Sequence, residues 1–141
     1  MAKAWIEDYI AAWNSHDPDR IVSFMEDDTV YEDFALGVRL VGREAIKSFI
    51  RETEEHFSTD FRFELTNALA SDSGYAAEWT MRGTNDRADT LRGLPATGKP
   101  YNIRGVSVGE LRNDKIHVNR DYWNLAAYLM EVGLMPAPPS P

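Results

Sequence analysis

In FRFELTNALASDSGYAAEWTM, residues 61–81, apolar side chains recur at every second position: Phe61, Phe63 and Leu65, then Tyr75, Ala77, Trp79 and Met81. Period two marks strands with one buried face, and Asp72-Ser73-Gly74 between the two runs is a turn, so the stretch predicts an antiparallel hairpin. Toward the C-terminus, Tyr101 to Leu111 and Lys115 to Trp123 flank the turn Asn113-Asp114 and predict a second antiparallel pair. Toward the N-terminus the period becomes helical. Trp5, Tyr9, Ala12 and Trp13 share one face; Asp17-Pro18 caps a short helix carrying Ile21, Phe24 and Met25; and Ile46, Phe49, Ile50, Thr53 and Phe57 line a third helix. Tyr31 to Gly42 reads as a turn-rich link, and Leu125 to Leu134 as a short apolar closing segment. Helices first and strands later is an α+β order, with three N-terminal helices covering one face of a curved antiparallel sheet and leaving room for an apolar pocket.

The 141 residues, 43% of them hydrophobic, suffice for one core, so residues 1–135 are expected to form a single domain followed by a proline-rich tail, 136–141. A net charge of -8 argues against a nucleic-acid or anionic-membrane partner. The first residues lack an apolar leader and no run is long enough to span a bilayer, which makes a cytoplasmic protein the expectation. Cysteine is absent, which removes thiol and disulfide chemistry, and His16, His56 and His117 lack metal-ligand spacing; neither a metal nor a cofactor is expected.

Chemistry concentrates late in the chain. If Arg87-Ala88-Asp89 is extended, the guanidinium and the carboxylate share a face and can touch. Asp121 lies in NRDYW, residues 119–123, a strand otherwise suited to burial. For charged residues taken singly, a solvated surface ion pair is the default.

The segment NDRADTLRGLPATGKPYNIRGVSVGELRNDKIHVNRDYW, residues 85–123, resembles the C-terminal half of limonene-1,2-epoxide hydrolases, and DTVYEDFALGVRLVGREAI, residues 28–46, is similar to the same family and to the wider nuclear transport factor 2-like superfamily. The resemblance implies a cone-shaped, cystatin-like roll, a homodimer, and a small hydrophobic epoxide, terpene-like or alicyclic, hydrated to a vicinal diol without a covalent intermediate. It implies Asp121 as general base, Asp89 as general acid, Arg87 bridging them, and Tyr31 holding the attacking water. Asp33 stands where an asparagine is usual, and an ionised carboxylate only accepts hydrogen bonds. Phe57, Leu91, Ile103 and Trp123 fall at substrate-contacting positions. Asn119 and Gly105 replace a tryptophan and an isoleucine, which implies a wider, more polar cavity on that side. Trp13, Trp79 and Met25 could face cavity or core.

Two other readings stand beside this one. DYIAAWNSHD, residues 8–17, and VYEDF, residues 30–34, resemble segments of ketosteroid isomerases and SnoaL-like polyketide cyclases, with Tyr9 and Asp33 at the places of an oxyanion tyrosine and a base; the third element falls near Val106 or Ser107. The same fold also serves as a non-catalytic small-ligand-binding module.

Overall fold

The computed structural model describes residues 4–139. Its elements run α1 (Ala4–Ser15), α2 (Pro18–Val22), β1 (Met25–Asp33), β2 (Val38–Val41), α3 (Arg43–His56), β3 (Arg62–Ala70), β4 (Gly74–Thr84), β5 (Pro100–Arg112), β6 (Lys115–Trp123) and α4 (Leu125–Glu131). Six strands form one sheet in the order β2-β1-β6-β5-β4-β3. All pairings are antiparallel except β1 with β6, which is parallel, so the sheet is mixed. Register shifts interrupt β1/β6, β3/β4 and β5/β6. Such bulges raise local twist and bend strands, which curls the sheet around the helices as a cone.

The two hairpins and the helix phases agree with the sequence periodicity. Tyr75, Ala77, Trp79 and Met81 are all buried, and Asp17 caps α2, its carboxylate accepting the amides of Asp19 and Arg20. The supposed link is different: β1 and β2 form a hairpin inside Tyr31 to Gly42 and its approach, and α2 ends before Phe24, so Met25 opens a strand. Thr29, Tyr31 and Asp33 do alternate inward, but two of the three are polar, which hid the strand.

One apolar cluster joins α1, α2 and α3 to the sheet through Ile6, Trp13, Ile21, Ile46, Ile50, Phe61 and Ile116; a second gathers Trp79, Met81, Tyr101, Ile103, Tyr128 and Val132 under α4. Phe61 stacks on His16, centroids 3.8 Å apart, and meets Trp13 and Phe63 edge-on. Phe61→Ala should therefore cost about 3–5 kcal/mol, read as a drop in the urea midpoint at unchanged slope. Among the described residues no helix is long and apolar enough to cross a membrane.

Candidate active site

Strand registers put the polar groups in rows. Asp33 pairs with Asp121 across β1/β6, Asp121 with Ser107 across β5/β6, and Ser107 with Ala77 across β4/β5. The neighbouring row runs Tyr31, Asn119, Gly109, Tyr75. All these side chains point to the concave face. The glycines are steric necessities there: a Cβ at Gly109 would lie 2.4 Å from the Tyr75 ring, and one at Gly105 2.2 Å from the Trp79 indole. The room left by Gly105 is thus filled by Trp79 and does not widen the cavity.

Above these rows, between α1, α3 and the sheet, lies a cavity of about 130 Å³. Its walls are apolar, chiefly Trp13, Phe49, Phe63, Trp79, Met81 and Trp123, and its acids are Asp33, Asp121 and Glu52. A smaller inner chamber of about 20 Å³ continues past Asp121 to Tyr9 and Ser107.

The Asp121 carboxylate is buried and accepts three hydrogen bonds from the described side chains, one fewer than its four acceptor positions. Its Oδ1 accepts from Ser107 Oγ (2.6 Å) and Asn119 Nδ2 (2.9 Å), and its Oδ2 from the Tyr31 hydroxyl. Each donor is itself held: Trp79 Nε1 donates to Ser107 Oγ (2.9 Å), and the Tyr75 hydroxyl to Asn119 Oδ1. Burial pushes the Asp121 carboxyl up from 3.8 to about 6, despite the three donors, with the charge of Asp33 adding to the shift. Burial also raises Asp33, against hydrogen bonds from Trp123 Nε1 (2.9 Å, to Oδ2) and the Leu36 amide (2.9 Å, to Oδ1). Burial, and then the Asp121 charge, holds Tyr31 well above the ordinary phenol value, so it stays a proton donor to Asp121. Two carboxyls with raised pKa values facing one apolar cavity form an arrangement able to take and return a proton near neutral pH.

The expected triad does not assemble. The chain leaves β4 at Thr84, and Asp89 sits in a turn closed by reciprocal backbone bonds with Leu94 rather than in an extended strand. Asp89 Oδ1 accepts the amides of Leu91 and Arg92, which brings Arg92, not Arg87, alongside; Arg92 Nη1 donates to Oδ2 at 2.8 Å. Arg87 is exposed and, with Asp89, borders a separate chamber of about 30 Å³ beside α4. Phe57, Leu91 and Trp123 line the main cavity, as do Trp13 and Trp79. Ile103 packs into the second apolar cluster, Met25 into the first, and Asn119 stands behind Asp121 as a donor. Sequence reading set Ser107 only near the third element of an isomerase-like site and His56 only among histidines without metal-ligand spacing, while Arg92 and Glu52 went unnoticed.

Among the described residues, Glu26, Asp28 and His117 bring metal-type ligand atoms within 4.8 Å of one another, away from the cavity. Arg112 bonds both carboxylates there and offsets one of their two negative charges.

A conical α+β roll with carboxylates buried under its helices is the nuclear transport factor 2-like fold. The SnoaL-like domain pattern matches residues 6–118, and the chain belongs to that family. The whole chain superposes on a protein with a ketosteroid isomerase-like fold from Catenulispora acidiphila, solved with trimethylamine, at TM-score 0.82 and 20% identity over 100% of both chains. A candidate polyketide cyclase from Xanthomonas campestris pv. campestris is 24% identical over 93% of this chain and 96% of its own, TM-score 0.75. Another from Silicibacter sp. is 26% identical over 89% and 90%, TM-score 0.73. Nothing in these matches is specific to limonene-1,2-epoxide hydrolases, the family expected from residues 28–46 and 85–123.

Proposed function

We propose that this protein is an acid–base enzyme of the SnoaL-like cyclase and ketosteroid isomerase kind, abstracting a proton next to a carbonyl in an apolar cyclic compound. The observation that carries this reading is the buried Asp121 carboxylate at the cavity floor, oriented by Ser107, Asn119 and Tyr31. In the ionised form Asp121 accepts the C–H proton, and the electron pair moves onto the carbonyl oxygen. The Tyr9 hydroxyl, which burial keeps protonated beside the same chamber, can donate a hydrogen bond to that oxygen. The resulting enolate is a nucleophile for ring closure, or takes the proton back from Asp121 at another carbon in an isomerisation. The likeness to candidate cyclases supports the same chemistry.

Proton–deuterium exchange into 2-tetralone, followed by NMR in deuterated buffer, tests this; catalysed exchange is expected, and a rate no greater than buffer would refute it. Because the base must be ionised, the exchange rate should climb with pH through about 6. A rate that is flat or falling over that interval would remove Asp121 from the base role.

Epoxide hydration is the second reading, and the inner chamber favours it. Its 20 Å³ is room for one water, with Tyr9, Ser107, Tyr31 and Asp121 as polar neighbours. That water could attack an epoxide with Asp121 as base, the epoxide oxygen taking its proton from Asp33 in the molecules in which that carboxyl is protonated. Cyclohexene oxide in ¹⁸O-water would then give singly labelled diol; absence of diol alongside ketone exchange leaves the first reading alone.

A further inference from the structure

At the mouth of the cavity the loop between β4 and β5 turns over at Asp89–Arg92. Arg92 borders both the main cavity and the adjoining chamber, together with Leu36, His56 and Phe57, so it stands at the junction of the two spaces. Among the described residues its guanidinium makes one ion pair, to Asp89, and its charge also acts on Asp33. Asp89 fixes itself by accepting two backbone amides on Oδ1 and then takes a single arginine donor, Nη1, on Oδ2. A guanidinium has five N–H donors, and with its side chain 40% exposed Arg92 keeps donors for a ligand. The rest of the wall needs such a group. Asp33, Asp121 and Glu52 are acids, and Arg92 with His56 supplies the basic side chains among the described lining residues. Without Arg92 the three acids would face an anion with only His56 and neutral donors among the described lining residues to offset them.

We infer that Arg92 is a specificity-determining residue, anchoring a carboxylate or comparable anionic oxygen on a substrate whose aromatic or alicyclic body fills the apolar cavity. This rests on the reading above that the cavity is the substrate site, and it narrows the substrate to a ring compound with an acidic oxygen at the end away from Asp121. An ion pair that served only to stabilise the loop would not discriminate between ligands.

The test is a pair of probes of equal size, 2-naphthoate and its neutral analogue 2-naphthamide, titrated calorimetrically into the intact protein at pH 7. Wild type should bind the anion about tenfold more tightly or better, the scale of a charge-assisted hydrogen bond. Arg92→Gln should erase that preference while leaving naphthamide affinity within about twofold, and Arg92→Lys should keep part of it as a point charge. Equal affinities in wild type, an unchanged ratio in Arg92→Gln, or binding of neither probe would overturn the inference. The outcome is separable from the catalytic reading: ketone exchange that fails while the anion preference survives refutes only the acid–base proposal, and the converse refutes only this one.

Discussion

Asp121→Asn is expected to lower catalysed ketone exchange by about 10²- to 10⁴-fold while leaving the protein folded, because the amide keeps the shape of the group and loses only its proton affinity. The hydrogen bonds can be rearranged at little cost. The amide oxygen can replace Oδ1 as acceptor from Ser107 and Asn119, and the amide nitrogen can donate to Tyr31, whose hydroxyl proton turns elsewhere. Stability should respond in a defined direction. The carboxyl is raised in the folded protein from 3.8 to about 6, so the folded state binds the proton more tightly than the unfolded chain. Below pH 3.8 this favours folding in full; the contribution is lost as pH rises toward about 6, where the charge must be carried in a buried place. Two units correspond to about 3 kcal/mol, so the stability difference between the proteins should swing toward the variant by that order over this window. Urea titrations at pH 4 and pH 7 measure it, and a difference independent of pH would mean that Asp121 is not held in an unfavourable charge state.

Gly105→Ile should be among the most disruptive single changes in the sheet. A Cβ there would lie 2.2 Å from Trp79, an indole fixed by its bond to Ser107 and by an edge-on contact with Phe63 at 5.1 Å. Neither the strand nor the ring can yield freely, and overpacking of this kind costs about 3 kcal/mol or more, roughly a 10 °C fall in Tm for a chain of this size. Moving Trp79 would also release Ser107 from its orientation toward Asp121, so activity should fall together with stability. The cause is open to a direct check. In a Trp79→Ala background the added isoleucine should cost far less, since the contact has gone, and an equal cost in both backgrounds would place the strain elsewhere.

The sequence disclosed the elements whose burial is one-sided and apolar. Tyr75, Ala77, Trp79 and Met81 announce β4, and Ile46, Phe49 and Ile50 announce α3, because alternation and helical spacing survive when the inward side chains are hydrophobic. β1 escaped notice for the opposite reason. It exposes Asp27 and Asp28, and its inward positions include Thr29 and Asp33, so charge masks the alternation. Its parallel pairing with β6 carries no turn signal, being made between segments some ninety residues apart.

The site was legible as a set of acids and illegible as a geometry. Tyr31, Asp33 and Asp121 do come together, whereas Arg87 and Asp89 depended on an extended segment that is in fact a loop. Asp89 prefers to cap its own turn, as short acidic side chains do wherever backbone amides are free. Ser107 shows how one residue of register hides a partner. Counting back from the turn at Asn113-Asp114, where Arg112 faces Lys115, sets Asp121 opposite Val106; the register shift between Glu110 and Leu111 moves it opposite Ser107 instead.

The acid–base chemistry proposed for this cavity depends on Asp121 titrating near neutrality within its cage of donors. The carboxyl ¹³C shift of Asp121, followed from pH 3 to pH 8 and assigned by its absence in Asp121→Asn, reads this directly. A midpoint near 6 is expected, moving downward in Asp33→Asn as the neighbouring charge is removed. A midpoint at or below 3.8, the ordinary carboxyl value, would leave the site without a base matched to proton transfer at neutral pH.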